Sequence, residues 1–308
     1  MEYKRFNLDS PSFEEFLMNN ECVERADSAR NDALDFAHPV DAGIIRVLDS
    51  PLVNNAFSAL LDVTIDAQYG MMLSTGLRID NQDSPMADIV KHCARTLKIQ
   101  VPYTITSSSI TGLNAMTVGT DNYVYIAISS LLQKMFDEDE VKFVVGHECG
   151  HITLGHAMYH TVVATCGNLS QLIPVLGPTI YQLVSWPLKA WSRRSEISAD
   201  RAGLLCCGDV RTACRTLLRL EAGFLPVESF DVDEYIANTS KQIHKSQLGY
   251  LSELFAEHPI LAKRMEALQV FANSEKYYRI TGKTPEEGIE LYSDEELDRR
   301  TEQIVSVL

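Results

Sequence analysis

The clearest helical pattern in the first hundred residues lies between Ser84 and Leu97. Apolar side chains recur there every three or four residues, which puts them on one face of a helix: Met86, Ile89, Val90, Cys93 and Leu97. Ser84 suits the N-cap and Pro85 the first helical position, so the start of this helix is marked as well. Residues 1–35 carry only short helical patterns among polar and acidic residues, and we interpret them as an N-terminal acidic extension.

The pattern changes to that of strands after residue 100. Residues 101–110 and 122–129 are rich in β-branched and aromatic side chains, and residues 113–121 between them resemble a further short strand that ends at a glycine turn. Three short strands in succession predict a small antiparallel sheet. The periodicity is then helical to about residue 275, so we expect an α+β fold that is mainly α-helical, with an acidic helical C-terminal tail over residues 276–308.

One predicted helix begins at Asp137, which is placed to cap it, and Glu140 follows at the spacing of a capping box. Farther along this helix, His147 and His151 are one turn apart and share a face, so two imidazoles can reach a single zinc ion. Glu148 stands beside them in the H-E-x-x-H pattern, in which the glutamate is the general base of a metalloprotease.

The alternative for this segment is a surface helix whose histidines occur by chance. Against it, Glu148 falls on or next to an apolar stripe, which is formed by Val141, Val144, Val145 and Ile152. An ionised carboxylate beside a core costs several kcal/mol unless a partner compensates it, and a metal ion with its water would be such a partner.

A zinc site in a hydrolase normally takes three protein ligands and leaves one position open. If the helix continues, His156 and His160 point well away from the face shared by His147 and His151, so we interpret both as non-ligands. Cys149 lies on a divergent face, and we interpret it as a small buried residue.

A better third ligand follows on a second predicted helix. Glu196 and Asp200 are four residues apart there, and small neighbours would let this helix approach another closely: Ala199, Ala202 and Gly203. Glu196 would complete a His-His-Glu ligand set, and Asp200 would accept a hydrogen bond from a ligand imidazole and fix its tautomer. The alternative is an exposed acidic pair beside three arginines, Arg193, Arg194 and Arg201.

The amino-acid composition limits which binding partners and which cellular compartment we expect. The chain has 27 basic and 42 acidic residues, a formal net charge of -15, and a surface this negative argues against nucleic-acid binding. Its 7 cysteines form no C-x-x-C pair, which disfavours a disulfide framework and favours a reducing compartment. The N-terminus lacks an apolar segment followed by a small-residue cleavage site, so we expect no secretory signal and a cytoplasmic protein.

Three segments in order resemble the HtpX-like and CAAX-prenyl-protease-type zinc metallopeptidases: GHECGH, RRSEISADRAG and EHPILAKRMEAL. Further segments resemble the same family: HPVDAGIIRVLDSP, LNAMTVG and VYIAISSLL. The resemblance extends from His38 to about residue 275, which is most of the chain. Cys149 stands where the family usually has leucine and Met116 where an aromatic residue is common, and neither change removes a catalytic group.

The resemblance implies a zincin-type catalytic domain over residues 36–275. It implies one Zn²⁺ per chain, bound by His147, His151 and Glu196 from two helices. It also implies Glu148 as the catalytic base.

Further roles follow from the same resemblance. His258 and Arg264 would be catalytic polar groups near the substrate carbonyl, although a histidine before a proline is also typical of a helix start. Asn114 and Ala115 would bind substrate, because they would lie on the edge strand that pairs with an extended polypeptide.

An uncharged segment, Thr161–Leu188, raises the question of a membrane span, since well-known members of this family are integral membrane proteins. A single crossing would separate His147 and His151 from Glu196, and two crossings need about 40 apolar residues plus a turn. We therefore expect no transmembrane span. We interpret residues 161–188 as an apolar helical hairpin over the cleft, or as a patch in peripheral contact with a membrane or a partner.

The expected function is that of a zinc-dependent metalloendopeptidase, which hydrolyses peptide bonds of unfolded or flexible proteins with a water activated by zinc and Glu148. Two alternatives stay open: a zinc-stabilised, non-catalytic binding or chaperone-like module, and a peripheral membrane protease. The presence of Glu148, His258 and Arg264 favours catalysis, because a structural zinc site needs neither a base nor an open position.

Overall fold

The computed structural model of the chain describes residues 35–39, 75–119, 124–157, 177–223, 230–243 and 260–306, with residues 177–190 and 240–243 described by their backbone alone. The strands in these residues are β1 (Gly76–Arg78), β2 (Tyr103–Ser107), β3 (Ala115–Gly119) and β4 (Val124–Ser129). The helices are α1 (Pro85–Thr96), α2 (Leu132–Met135), α3 (Glu138–Leu154), α4 (Gly177–Cys207), α5 (Val210–Ala222), α6 (Val232–Ile243), α7 (Leu261–Ala272), α8 (Glu275–Thr281) and α9 (Asp294–Val305). The predicted fold class, α+β and mainly helical, is confirmed.

The capping signals predicted for α1 and α3 are confirmed. The Ser84 side chain accepts a hydrogen bond from the Ala87 amide at the start of α1. At the start of α3, the Glu140 amide donates to Asp137 (2.9 Å) and the Asp137 amide donates to Glu140 (3.0 Å), which is a reciprocal capping box. The start of the helix that carries H-E-x-x-H is therefore fixed by this capping box.

The sheet has the order β1-β2-β4-β3 and is mixed, whereas the sequence predicted an antiparallel sheet. The pairs β1–β2 and β3–β4 are antiparallel, but β2 and β4 run parallel, with Tyr103 opposite Tyr125. The physical reason is burial: β4 is buried from Tyr125 to Ser129 and takes a neighbour on both sides, while β3 is half-buried at its start and folds back to the outer side of β4. Among the described strands, β3 therefore lies at an edge of the sheet.

Helices α3 and α4 pack together at backbone distance. A β-carbon added at Gly150 would lie 2.7 Å from the Ala202 side chain and 3.2 Å from the Ala199 α-carbon, and one added at Gly203 would lie 2.8 Å from the Phe143 carbonyl oxygen. The close approach predicted from the small residues of α4 is therefore confirmed, and it places the two helices that carry the candidate ligands side by side.

The acidic tail contains two helices, and the second of them packs against α4 and α7. Val305 of α9 lies in a small apolar cluster with Ile197 and Ala267. Glu302 of α9 also forms an ion pair with Arg194 of α4. Helix α9 thus supports the back of α4 close to Glu196.

Of the predicted apolar hairpin, residues 177–188 form the first turns of α4, and residues 161–176 lie outside the described residues. Within the described part of the chain, no helix combines the length and the hydropathy that a membrane crossing requires.

The close contact between α3 and α4 predicts that a glycine-to-alanine substitution on α3 destabilises the protein. Replacing a helical glycine by alanine normally stabilises a helix by about 0.5–1 kcal/mol. We expect Gly150→Ala instead to lower the free energy of unfolding by about 1–3 kcal/mol, because the added methyl group overlaps Ala202. Urea unfolding of the metal-free protein measures the change.

The matched variant moves the methyl group from one helix to the other. Gly150→Ala combined with Ala202→Gly should recover part of the lost stability, since the closest overlap is removed. A Gly150→Ala protein more stable than the wild type would show that the helices are not held this close.

Candidate active site

His147, His151 and Glu196 converge where α3 passes α4. The Nε2 atoms of the two histidines are 3.1 Å apart, and the Glu196 carboxylate oxygens lie 3.6 Å from His147 Nε2 and 3.4 Å from His151 Nε2. One ligand atom from each residue lies within 4.8 Å of the other two. The spacing on α3 brings the histidines together, and the close packing of α4 supplies the carboxylate.

The electrostatics of this cluster favour a cation. Burial by itself lowers the pKa of His147, but the hydrogen bond to Asp200 and the charges of Glu196, Asp200 and Glu148 outweigh burial and raise it. Several carboxylates therefore attract positive charge to the same small volume. The donor set of two imidazoles and one carboxylate suits zinc, with room for a fourth, non-protein ligand.

Asp200 fixes the orientation of His147. Its Oδ1 lies 3.0 Å from His147 Nδ1, and its two oxygens accept hydrogen bonds from Arg264 Nε (2.7 Å) and Nη2 (2.6 Å). Burial by itself raises the pKa of Asp200, but the charge and hydrogen bonds of Arg264, together with His147, lower it below its ordinary value. The carboxylate is thus ionised, and it is placed to accept a hydrogen bond from His147 Nδ1–H, which leaves the lone pair of Nε2 for a metal.

Glu148 lies on α3, next to His147, and is buried, with 7% of its surface exposed. The Thr117 hydroxyl lies 2.7 Å from Glu148 Oε2 and 3.1 Å from the Glu148 carbonyl oxygen, so it can donate to either. Thr117 comes from the edge strand β3, and the sequence analysis missed it. Its position two residues after Ala115, on the same face of the strand, was the available signal.

A cleft of about 550 Å³ connects these groups. One wall is the segment from Thr111 to Thr117, which contains the predicted substrate residues Asn114 and Ala115, and the floor is formed by α3 and Glu196. Arg264 reaches the cleft from α7, while Leu220 and Glu221, not singled out by the sequence analysis, line it from α5. Of the predicted site residues, His258 alone lies outside the described residues, as does the rejected histidine at position 160.

Comparison of the amino-acid sequence with known proteins identifies a family for this chain. The sequence matches peptidase family M48 over residues 80–272, well over half of the chain. The chain belongs to peptidase family M48. The resemblance to HtpX-like metallopeptidases is thereby confirmed, and the family together with its named relatives indicates a protease, a hydrolase.

Several relatives of this M48 peptidase carry protease names. The plastoglobule-localized metallopeptidase 48 of Arabidopsis thaliana is 24% identical over 80% of this chain and 74% of its own length. The protease HtpX of Pseudomonas savastanoi pv. phaseolicola is 28% identical over 76% of this chain and 88% of its own length. An HtpX homologue of Sulfurihydrogenibium sp. is 25% identical, and the match spans 52% of this chain and 64% of that relative.

Cys149 of the M48 peptidase is fully buried, as the sequence predicted. Burial raises the pKa of its thiol well above the ordinary value. The thiol is therefore a poor nucleophile, and its position between the histidines reflects packing.

The ion pair between Asp200 and Arg264 supports the site even without metal, and this can be tested. We expect Arg264→Met to lower the free energy of unfolding of the metal-free protein by about 3–5 kcal/mol, because it leaves a buried carboxylate without its cation. Asp200→Asn added to Arg264→Met should restore part of the loss, since the uncompensated charge is then gone.

The control is Arg279→Met, which breaks an exposed ion pair with Asp294 and should cost at most about 1 kcal/mol. Denaturant unfolding in the presence of chelator measures all four proteins. Equal costs for the Arg264 and Arg279 variants would show that the buried pair does not stabilise the site.

Proposed function

We propose that this M48 peptidase is a zinc-dependent metalloendopeptidase that cleaves unfolded or flexible polypeptides. The observation that carries the proposal is the convergence of His147, His151 and Glu196 in a cleft that Glu148 also lines. Two nitrogens and one carboxylate oxygen fit zinc, and a set of three leaves a position for water.

When bound, a zinc ion would supply Lewis-acid chemistry, polarising the scissile carbonyl and making a water molecule more acidic. The protein's own contribution is proton transfer. Glu148 accepts the proton of the attacking water and delivers it to the leaving amine. Thr117 is placed to hold Oε2 of this carboxylate and so to orient the base.

The remaining polar groups of the cleft have supporting roles. Arg264 keeps Asp200 ionised and in place, and it also brings positive charge to the cleft wall, where it favours a developing oxyanion. His258, which the family resemblance implies in the same role, completes this part of the proposal.

The edge strand β3 supports the choice of substrate. It pairs with β4 on one side, and no other described strand covers its second side, which borders the cleft. A polypeptide can pair there only if its own backbone N–H and C=O groups are free, and Asn114 and Ala115 would receive it. Folded proteins engage these groups internally, so unfolded and flexible segments are the preferred substrates.

A non-catalytic zinc module is the alternative from another class. The hydrogen bond that holds Glu148 and the continuity of the cleft with the edge strand favour the enzyme, because a structural zinc site requires neither. Cleavage of a reduced and alkylated protein by the wild type, abolished by chelator and restored by zinc, tests the two against each other.

Zinc content should depend on Glu196. We expect the wild type to bind about one zinc per chain and Glu196→Ala to lose most of it, because two imidazoles alone bind zinc weakly. The matched control is Glu221→Ala, which removes a carboxylate from the same cleft but outside the ligand group and should keep full zinc. Elemental analysis after gel filtration decides, and full occupancy in Glu196→Ala would make the ligand assignment wrong.

Glu148 should separate metal binding from chemistry. We expect Glu148→Gln to keep its zinc and its unfolding midpoint, while cleavage of the alkylated protein falls by at least about 10²-fold, because the base is gone and the shape remains. Near-normal cleavage would refute the mechanism. Loss of zinc would instead identify Glu148 as a ligand.

A further inference from the structure

His156 lies directly behind the candidate metal ligand His151. It is completely buried, and its Nδ1 is 2.9 Å from His151 Nδ1. The sequence analysis placed it well away from the ligand face by assuming that the helix continues. In the structure α3 ends at Leu154, and Gly155 adopts φ 73°, a left-handed conformation that returns the chain toward His151. The assumption of a continuous helix was wrong, although His156 still lies outside the ligand group.

The hydrogen bond between the two rings has a direction. His151 Nε2 faces His147 Nε2 at 3.1 Å and the Glu196 carboxylate at 3.4 Å, so this is the nitrogen that would bind a metal. A neutral imidazole that offers the lone pair of Nε2 carries its proton on Nδ1. The Nδ1–H of His151 must then donate to the unprotonated Nδ1 of His156.

We propose that His156 is a positioning residue of the metal site: it accepts the hydrogen bond from His151 Nδ1 and thereby fixes the tautomer and the ring orientation in which His151 Nε2 binds zinc. The proposal rests on the proposed function, because it needs the metal site. It extends that site to a residue that is neither a ligand nor part of the H-E-x-x-H pattern.

Packing holds His156 in place for this role. Its ring meets the Trp191 ring of α4 edge to face, with centroids 5.4 Å apart and an interplanar angle of 88°. Trp191 is itself 1% exposed, so neither ring has room to turn. Helix α4 thus provides one candidate ligand, Glu196, and supports another, His151, through the edge-to-face contact of Trp191 with His156.

A neutral acceptor behind His151 also suits the charge of the site. His147 already has an ionised acceptor, Asp200, and Glu196 and Glu148 add two more buried carboxylates, while the guanidinium of Arg264 lies beside Asp200 and Glu196. A fourth carboxylate, placed behind His151, would add more buried negative charge to the site. An imidazole provides the hydrogen bond and adds no charge.

Two substitutions separate the hydrogen bond from the packing. His156→Phe keeps a ring against Trp191 but has no acceptor, and His156→Asn loses the ring but places an amide oxygen near the former Nδ1 position. Competition with a chromophoric chelator gives the zinc dissociation constant of each protein. Urea unfolding in excess chelator checks that each variant folds.

We expect zinc to bind about 10- to 100-fold more weakly to His156→Phe than to the wild type, and His156→Asn to retain most of the affinity. Equal affinity of the wild type and His156→Phe would overturn the proposal. A larger loss in His156→Asn than in His156→Phe would also overturn it, since packing would then matter and the acceptor would not. A wild type that binds no zinc would instead refute the proposed function.

A measurement on the wild type needs no variant to fold. In protein with 15N-labelled histidine and bound zinc, NMR should show the proton of His151 on Nδ1 and a nitrogen–nitrogen coupling across the hydrogen bond to His156 Nδ1. Protonation of His156 on Nδ1, or the absence of that coupling, would overturn the proposal even if both substitutions prevented folding.

Discussion

The close contact between α3 and α4 is the constraint on which the site depends. Gly146 and Gly150 lie one turn apart on α3, and alanine, glycine and cysteine face them from α4, so the two backbones approach with little between them. At this separation, a short carboxylate side chain of α4 reaches imidazoles that extend from α3. With larger residues at these positions, the same ligand residues would be present in the sequence and too far apart to share an ion.

A second consequence of this packing is that carboxylates are buried along α3 and α4. Glu140 is fully buried at the start of α3, where Arg215 and Arg219 of α5 neutralise it. Asp200 of α4 is almost as deeply buried, and Arg264 of α7 neutralises it. Helices α5 and α7 thus each provide cations to a buried carboxylate of α3 or α4. Such pairs add little net stability, but removing one partner is costly, and this fixes how the outer helices dock.

The sequence predicted those parts of the site that follow from one regular helix or from local chemistry. The capping box at Asp137, the shared face of His147 and His151, and the small residues that face α3 from α4 all required only helical geometry. The pairing of Glu196 with these histidines was also predicted, but it drew on a family resemblance that supplied the long-range contact.

The predictions that failed concern places where the chain leaves a regular element. The sheet was expected to be antiparallel, yet β2 and β4 run parallel, because the buried strand β4 lies between β2 and β3. His156 was projected along a helix that in fact ends at Gly155. Thr117 was not singled out: its spacing from Ala115 indicates the face of the strand, but its contact with the Glu148 carboxylate depends on how the sheet packs on α3.

The support of α4 by α9 has a consequence for the order in which the protein becomes competent during synthesis. Arg194 and its ion-pair partner Glu302 are 108 residues apart, and Ile197 packs on Val305 over a similar separation. At translation rates of about 5–20 residues per second, the ribosome needs on the order of 5–20 s to make the second half of these contacts after the first. The nascent chain therefore carries all three candidate ligands well before the helix bearing Glu196 can make its contacts with α9.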